Sequence, residues 1–476
     1  MGEAMGQGAI ARSIFKTYDV RGVVDEALTE SAVHRIGHAL GTEARERGLD
    51  ALVVGRDGRV SGERLLNALA QGIIRAGVDV IDVGMVPTPV VYFATRHLGT
   101  GSGIAVTGSH NPPQHNGLKM MLAGETLHGE RIVGLYDRIV AETLYTAAQK
   151  GRITQTNVLP AYVSAVQNDI QLARPMKIAI DCGNGVGGVV AMELFTRLGC
   201  EVTALFCEVD GTFPNHHPDP ADPHNLIDLQ RILHDGDAEV GLAFDGDADR
   251  LGVVTKDGQI IYADRLIMLF AQDILSNHQG AQVIFDAKCS AHLPPWVVAS
   301  GGRPVMWKTG HSLMKAKLRE LGHDAVFAGE MSGHFYFNDR WAGFDDGLYA
   351  GARLLEILSR CASINHDKAL NDDLSALLNG LPQGVSTPEI NLHIKEGEGV
   401  SLVHAFKAHA AFDAQLNAVD GLRYDFVDGF GLIRASNTNA VVVLRFEAND
   451  EVALKRIQSD FRDVLRWVAP TLHIPF

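Results

Sequence analysis

One local pattern recurs along this chain and limits what it can fold into. A short apolar run rich in β-branched residues ends abruptly in glycine and polar or charged residues, and a stretch with helical character follows. The pattern occurs at 51–59 (ALVVGRDGR), 103–111 (GIAVTGSHN), 177–185 (KIAIDCGNG), 241–250 (GLAFDGDADR), 283–290 (VIFDAKCS) and 325–333 (AVFAGEMSG). Continuous apolar runs of this length are typical of strands buried on both faces, and stretches such as 61–76 are long enough for crossover helices. The pattern therefore predicts α/β architecture, with polar residues at the carboxyl ends of strands, where ligands bind in such sheets.

The length of 476 residues indicates several domains. Softer boundaries lie in the polar segment 150–160, after TKDGQIIY (255–262), which predicts a hairpin before a new helix, and within 364–388. Beyond that segment the composition shifts toward alternating strands with a helix near 402–416. We place the boundaries near 156, 260 and 375, which defines domains 1–156, 157–260, 261–375 and 376–476.

Charge and cysteine usage exclude several classes of protein. The formal net charge of −15 opposes general attraction to nucleic acid, and apolar runs such as 440–444 are too short to span a bilayer. The sequence thus predicts a soluble globular protein without nucleic-acid or membrane partners. Its five cysteines show no C-x-x-C spacing, so neither a disulfide framework nor a zinc knuckle is indicated, and a cytoplasmic location fits best.

The segment TGSHNPPQHNGLK (107–119) offers a serine in a loop rich in glycine, asparagine and proline. Such a loop after a buried strand would expose the hydroxyl of Ser109 and leave backbone N–H groups free to bind phosphate oxygens. A lone serine in this setting is more often an ordinary turn residue. Serine-hydrolase chemistry is disfavoured, because the segment is not G-x-S-x-G and no Asp or His is marked as a partner.

The segment DGDADR (245–250) follows a predicted strand at 240–244 and spaces its carboxylates at i, i+2 and i+4. In an extended loop, this spacing turns the oxygens of Asp245, Asp247 and Asp249 to one side, which suits a hard cation. A calcium loop of the EF-hand type is disfavoured, because Arg250 stands at the position of its glycine and Lys256 at that of its final glutamate. We expect Mg²⁺, with coordination positions left for water or phosphate oxygens.

Two further segments offer groups that could bind a phosphorylated sugar. GEMSGH (329–334) ends a predicted strand, and its Glu330 and Ser332 could bind adjacent sugar hydroxyls, although such turns are also common on ordinary surfaces. RASNT (434–438) is expected in a loop between 430–433 and the strand 440–446. Its Arg434 could bind a phosphate bidentately, although Ser-Asn-Thr loops are also common turns.

Taken together and in this order, these segments resemble the α-D-phosphohexomutase superfamily, most closely its bacterial phosphomannomutase/phosphoglucomutase branch. The resemblance runs nearly end to end, through YDVRG (18–22), TGSHNPP (107–113), DCGNG (181–185), FPNHHPDP (213–220), DGDADR (245–250), KTGH (308–311), GEMSGH (329–334) and RASNT (434–438). It implies three mixed-sheet α/β domains with helices on both faces plus a smaller C-terminal α+β domain, around a central cleft. The residues before Phe15 match none of these motifs and are expected to be disordered.

The resemblance also implies a role for each motif. Ser109 would be phosphorylated, and Mg²⁺ would be held by Asp245, Asp247, Asp249 and an oxygen of the phosphoserine. Lys119 and Arg250 would flank the reacting phosphoryl group, with Lys119 and His311 as candidates for proton transfer. The substrate-binding set would comprise Glu330 and Ser332 on the sugar hydroxyls, His334 in the same segment, and Arg434, Ser436, Asn437, Thr438, Tyr18, Arg21 and Lys288 for the non-reacting phosphate.

The implied reaction is the reversible interconversion of hexose 1-phosphate and hexose 6-phosphate through a bound hexose 1,6-bisphosphate. Met331 favours glucose and mannose phosphates over the glucosamine branch, whose loop usually carries Gln before the Ser. The alternatives are a phosphoglucosamine mutase, a Mg²⁺-dependent sugar phosphatase with an Asp nucleophile, and a non-catalytic sugar-phosphate-binding protein. The resemblance favours a monomer whose partners are small hexose phosphates.

Overall fold

The computed structural model of the chain describes residues 10–361, 377–378, 380–395, 397–436 and 440–476. Two units divide it: the first comprises Met1–Tyr262 and Ser332–Leu377, and the second comprises Ala263–Met331 and Leu378–Phe476. Among the described residues, no helix combines the length and the apolar character needed to cross a membrane.

The first sheet of the first unit is mixed. Its strands lie in the spatial order Val20–Val23, His115–Leu122, Gly103–Val106, Ala51–Arg56, Asp79–Met85 and Ile153–Gln155, with Glu125–Thr126 paired to His115–Leu122. The helices here are Glu30–Glu46, Gly62–Arg75, Thr88–His97 and Glu130–Val140. Helix Glu30–Glu46 begins at Thr29, whose side chain accepts a hydrogen bond from the N–H of Ala32 and so caps the helix. The Ser109 loop leaves this sheet at the end of Gly103–Val106, between two buried strands.

The second sheet of the first unit carries the acidic segment. Its strands lie in the order Ile260–Ile261, Leu251–Thr255, Val240–Phe244, Met176–Asp181 and Cys200–Leu205. The helices along this part are Leu159–Asp169, Ala191–Arg197 and Ile227–Asp235, and the unit also includes strand Phe335–Phe337 and helix Gly347–Cys361. Leu251–Thr255 and Ile260–Ile261 pair antiparallel before helix Ala263–Leu275, so the hairpin predicted at 255–262 is confirmed.

The second unit contains a parallel arrangement followed by an antiparallel one. Strands Arg303–Trp307, Gln282–Asp286 and Ala325–Gly329 are parallel neighbours, with helices Ala263–Leu275, Leu293–Ala299 and His311–Leu321. The C-terminal sheet has the order Val385–Ser386, Val441–Ala448, Gly429–Ala435, Leu422–Phe426 and Gln415–Asn417, with Ile390–His393 also on Val441–Ala448 and helices Glu398–His409 and Glu451–Val468. The expected series of three α/β sheets and a final α+β domain is confirmed.

Three local expectations were wrong. The helix predicted near 402–416 ends at His409, because Phe412 leaves the helix to stack on Phe461 in the C-terminal core, at 5.2 Å between ring centroids. Arg434 lies on strand Gly429–Ala435 rather than in the loop that follows it. The stretch before Phe15 is ordered from Ile10 onward, since Ile14 is 1% exposed and packs in the core of the first sheet.

Candidate active site

Ser109 is a buried residue, and the expectation that its hydroxyl is exposed was wrong. The residue is 2% exposed and adopts the left-handed region at φ +49°. Its N–H donates to Thr107 Oγ1 at 2.8 Å, and its Oγ donates to Asp245 Oδ2 at 2.9 Å. The serine hydroxyl therefore faces the acidic segment, which lies 136 residues away along the chain.

The Ser109 loop is organised by Arg59, which the sequence reasoning did not single out. The Arg59 side chain is fully buried, and its guanidinium donates to four backbone carbonyl oxygens of the loop. Those acceptors are Ser109 at 2.7 Å, Asn111 at 2.5 Å, Pro112 at 2.6 Å and His115 at 3.0 Å. One planar group with five donors thus satisfies carbonyls that would otherwise be buried without partners.

Asp57 completes this arrangement. One of its oxygens, Oδ2, accepts from Arg59 Nε at 3.1 Å, from Thr107 Oγ1 at 2.9 Å and from the N–H of Gly108 at 3.0 Å. A Cβ at Gly108 would lie 2.4 Å from the Arg59 guanidinium, so only glycine permits this approach. The signal for both residues was the strand end GRDGR, where polar residues follow the first apolar run of the chain.

The acidic segment forms a turn rather than the expected extended loop. Ala248 adopts φ +58°, which folds the segment back so that ligand atoms of Asp245, Asp247 and Asp249 lie within 4.8 Å of one another, all buried. Burial and the charges of the other two carboxylates raise the pKa of Asp245 well above its usual range. At Gly246, a Cβ would lie 2.4 Å from the Ser109 carbonyl oxygen, so the glycine lets the two loops touch.

The donor set of this turn fits a hard divalent cation. Carboxylate and hydroxyl oxygens are the ligands that such cations prefer, and three buried like charges need compensation. In the part of the chain that the structure describes, Asp247 Oδ1 is buried and accepts no hydrogen bond, so a ligand atom faces the cluster without a partner. The three aspartates can therefore hold a metal ion.

Lys119 projects from strand His115–Leu122 into the same cluster. Its Nζ lies 2.8 Å from Asp247 Oδ2 and also forms an ion pair with Asp249, and its side chain is 3% exposed. Burial alone would lower the pKa of Lys119, but the charges of Asp247 and Asp249 outweigh it and raise the pKa. Lys119 is thus a buried cation beside both Ser109 and the candidate metal ligands.

Arg250 and His334 meet at the edge of the turn. Their backbones form an antiparallel bridge, and Arg250 Nε lies 3.4 Å from His334 Nε2 and 3.9 Å from Asp245 Oδ2. His334 Nε2 lies 3.3 Å from Asp249 Oδ1, and His334 Nδ1 lies 2.8 Å from Ser332 Oγ. The structure therefore brings Ser332 and His334 together with the acidic turn.

Arg21 and Tyr18 lie beside the Ser109 loop and just before strand Val20–Val23, respectively. Arg21 Nη1 donates to the carbonyl oxygen of Gly108 at 2.9 Å and to Asn111 Oδ1 at 2.8 Å, so it contacts the loop directly. Tyr18 is partly buried. The predicted residues of the first unit are thus Tyr18, Arg21, Ser109, Lys119, Asp245, Asp247, Asp249, Arg250, Ser332 and His334.

The second unit holds Glu330 and His311 next to each other. Glu330 follows strand Ala325–Gly329 and its Oε1 accepts from the N–H of Gly310 at 2.5 Å, directly before helix His311–Leu321. Both side chains are buried. The strand end and the helix start therefore place a carboxylate and an imidazole in one region, as the motif positions predict.

The predicted phosphate-binding cations of the second unit are each held by a carboxylate. Lys288 Nζ lies 2.5 Å from Glu389 Oε1, and Arg434 Nε lies 3.0 Å from Asp420 Oδ2. Burial alone would lower the pKa of Lys288, but the charge of Glu389 outweighs it and raises the pKa. Ser436 donates its N–H to the carbonyl oxygen of Val441 at 3.0 Å. Asn437 and Thr438 lie outside the described residues.

Two buried arginines that the sequence reasoning missed support the Lys288 segment. Arg445 donates to the carbonyl oxygen of Lys288 at 2.7 Å, and Arg423 donates to those of Ala287 at 2.8 Å and Cys289 at 2.6 Å. Both arginines lie on strands of the C-terminal sheet. Their signal was a charged residue inside an otherwise apolar strand, which is rare unless the charge is paired.

A buried serine, three converging carboxylates and adjacent cations on an α/β scaffold define an enzyme site suited to metal-assisted phosphoryl chemistry. Family models for phosphoglucomutase/phosphomannomutase match the chain as alpha/beta/alpha domain I at 12–146, domain II at 160–258, domain III at 262–383 and the C-terminal domain at 389–464. The chain belongs to the phosphoglucomutase/phosphomannomutase family of the α-D-phosphohexomutase superfamily. Enzymes of this family use a metal ion and act on hexose phosphates.

Individual relatives are similar over almost the whole chain. A phosphoglucomutase of Neisseria meningitidis serogroup A is 52% identical over 459 residues, covering 96% of this chain and 97% of the relative. A phosphomannomutase/phosphoglucomutase of Pseudomonas aeruginosa is 50% identical over 465 residues and 98% of each chain. The crystal structure of a family protein from Burkholderia thailandensis superposes with a TM-score of 0.92 at 54% identity, covering 98% of this chain and 100% of that one.

Proposed function

We propose that this enzyme interconverts the 1- and 6-phosphates of glucose and mannose through phosphorylated Ser109 and a bound hexose 1,6-bisphosphate. The observation that carries the proposal is the Ser109 hydroxyl, which lies 2.9 Å from one of three converging carboxylates, with Lys119 in the same cluster. Relatives named for both sugars support the choice of substrates.

Asp245, Asp247 and Asp249 would hold Mg²⁺, which would supply positive charge to the oxygens of the transferring phosphoryl group. Ser109 Oγ would carry the phosphoryl group and pass it to a sugar hydroxyl. Lys119 and Arg250 would bind its equatorial oxygens, because phosphoryl transfer depends mainly on positioning and on electrostatic stabilisation.

Lys119 and His311 are the candidates for moving a proton to or from the sugar oxygens. Both are buried, so a proton held on either would be shielded from bulk water. Glu330 and Ser332 would bind the sugar hydroxyls, with His334 beside them. A carboxylate suits this task, because it accepts hydrogen bonds from two adjacent hydroxyls at once.

The distal phosphate would be bound by Arg434, Ser436, Asn437 and Thr438, with Tyr18, Arg21 and Lys288 contributing to the same subsite. A guanidinium can bind two phosphate oxygens in parallel, which fixes the orientation of the phosphate. A sugar held by two hydroxyls and by a distal phosphate can bind in two orientations. The bisphosphate can therefore return either of its phosphoryl groups to Ser109.

The test is to incubate the purified protein with Mg²⁺, a trace of glucose 1,6-bisphosphate, and either glucose 1-phosphate or mannose 1-phosphate. Formation of the 6-phosphate and of free phosphate is followed in the same reaction, with Ser109→Ala as the control. We expect both sugars to isomerise without phosphate release. Phosphate release alone would indicate a phosphatase, isomerisation of glucosamine phosphate only would indicate that branch, and binding without turnover would indicate a binding protein.

The cytoplasmic location, the monomeric state and the absence of nucleic-acid or membrane partners belong to this proposal as well. They rest on the net charge of −15 and on cysteines without paired spacing. Size-exclusion chromatography with light scattering tests the monomer, for which we expect a mass near 51.4 kDa.

A further inference from the structure

Two cysteines that the proposed mechanism does not use lie in contact. Cys182 directly follows strand Met176–Asp181, and Cys207 lies two residues beyond the parallel neighbouring strand Cys200–Leu205. Their Sγ atoms are 3.4 Å apart, and both thiols are free. A disulfide of about 2.05 Å would require the sulfurs to approach by about 1.35 Å, which is less than 1 Å of movement for each.

The two thiols differ in access and in acidity. Cys182 is fully buried, whereas Cys207 is partly exposed. The hydrogen bond between the two thiols lowers the pKa of Cys207, while the same contact and burial raise the pKa of Cys182. Since the thiolate is the nucleophile, Cys207 is the cysteine that an oxidant meets first, and Cys182 lies in position to resolve the product.

We propose that Cys182 and Cys207 form a reversible disulfide when the protein meets a peroxide. The Cys207 thiolate attacks one peroxide oxygen, which breaks the O–O bond and, after protonation of the leaving hydroxide, yields a sulfenic acid and water. The Cys182 sulfur then attacks the sulfenic sulfur, which forms the S–S bond and releases a second water. Overall two thiols lose two electrons and two protons, and hydrogen peroxide is reduced to two molecules of water.

The loop that carries Cys182 also touches the candidate metal turn. The N–H of Val186 donates to the carbonyl oxygen of Gly246 at 3.1 Å, and a Cβ at Gly185 would lie 2.9 Å from the Gly246 Cα. On the other side, the N–H of Asn184 donates to the carbonyl oxygen of Phe206 at 2.7 Å. Drawing Cys182 toward Cys207 would therefore displace the backbone against which the Asp245–Asp249 turn packs.

The experiment treats the full-length protein with hydrogen peroxide, blocks remaining thiols with an alkylating reagent and maps disulfides by mass spectrometry without reduction. Cleavage after Lys, Arg and Glu places Cys182 in peptide 178–193, Cys200 in 198–201 and Cys207 in 202–208, so each pairing gives a distinct mass. We expect a linked 178–193/202–208 pair that dithiothreitol removes. Irreversible oxidation of Cys207 without a linked pair, a link to Cys200, or no reaction would each overturn the proposal.

Cys200→Ser is the matched control, because Cys200 lies on the same strand that leads to Cys207 and burial raises its pKa to about 12. This variant should still form the linked pair, whereas neither Cys207→Ser nor Cys182→Ala should form it. Isomerase activity is a second measurement, which rests on the proposed function. We expect peroxide to lower kcat at least about tenfold in wild type and Cys200→Ser, reversibly, because small displacements near reacting groups cost rates of this order.

The two measurements separate the two proposals. A linked pair in a protein without isomerase activity would overturn the proposed function and leave the disulfide standing. A linked pair with unchanged kcat would overturn the connection to the metal turn.

Discussion

Replacing Arg59 tests whether the Ser109 loop depends on a single buried guanidinium. In Arg59→Lys the ammonium can still pair with Asp57, but it cannot span four carbonyl oxygens, since it lacks the planar five-donor geometry of arginine. A displacement of about 1 Å in a reacting group can cost about 10²-fold in rate. We expect kcat to fall by about that factor, with a folded protein.

Arg59→Ala goes further, because it leaves Asp57 buried without its cation. Removing one partner of a buried ion pair costs about 3–5 kcal/mol, and we expect a loss of this size in the free energy of unfolding. The carbonyls of Ser109 and Asn111 would also lose charged donors, whose contributions of about 1.5–3 kcal/mol each are not additive with the first term.

The assays are urea unfolding, steady-state kinetics, and intact-mass measurement of the phosphorylated fraction after incubation with glucose 1,6-bisphosphate. Arg138→Ala is the control, because Arg138 forms a peripheral ion pair with Glu46, a kind of pair that contributes about 0.2–1 kcal/mol. That variant should keep wild-type kcat and phosphorylation. Wild-type kcat in a folded Arg59→Lys protein would refute the reasoning, because the loop would then hold its geometry without the guanidinium.

Four further predictions follow from individual residues. Ser109→Ala should abolish isomerisation while circular dichroism stays that of wild type, and any wild-type-like turnover would refute its role. Chelation with EDTA should lower kcat by at least about 10², restored by Mg²⁺, and Asp247→Asn should need more Mg²⁺ for half-maximal rate, because a ligand charge is lost. Glu330→Gln, which keeps an acceptor for the Gly310 N–H, should raise KM and lower kcat; unchanged kinetics would remove Glu330 from the site. Burial raises the pKa of Asp346 to about 7 from 3.8, so folding favours its neutral form: stability is full below pH 3.8 and falls as pH rises through 7. Between pH 5 and 8, wild type should lose about 3 kcal/mol more than Asp346→Asn in urea unfolding, and parallel pH profiles would contradict this.

The sequence by itself determined where the chemistry lies along the chain. Apolar runs that end in polar residues predicted the α/β class, because a buried strand must stay apolar until it reaches the sheet edge. Spacing placed the three carboxylates of Asp245, Asp247 and Asp249 in one short segment, and the structure confirms that they converge. The boundaries near 156, 260 and 375 and the role of each site residue stay predictions.

Only the tertiary structure decided which distant groups meet and how deeply they are buried. Arg59 binds the Ser109 carbonyl across 50 residues of chain, and Arg250 meets His334 across 84. The Ser109 hydroxyl is turned inward by Asp245, and the acidic segment folds back at Ala248. These features arise when separate strand ends pack together, because a buried polar group must then find partners wherever the fold places them, and local sequence carries no record of that pairing.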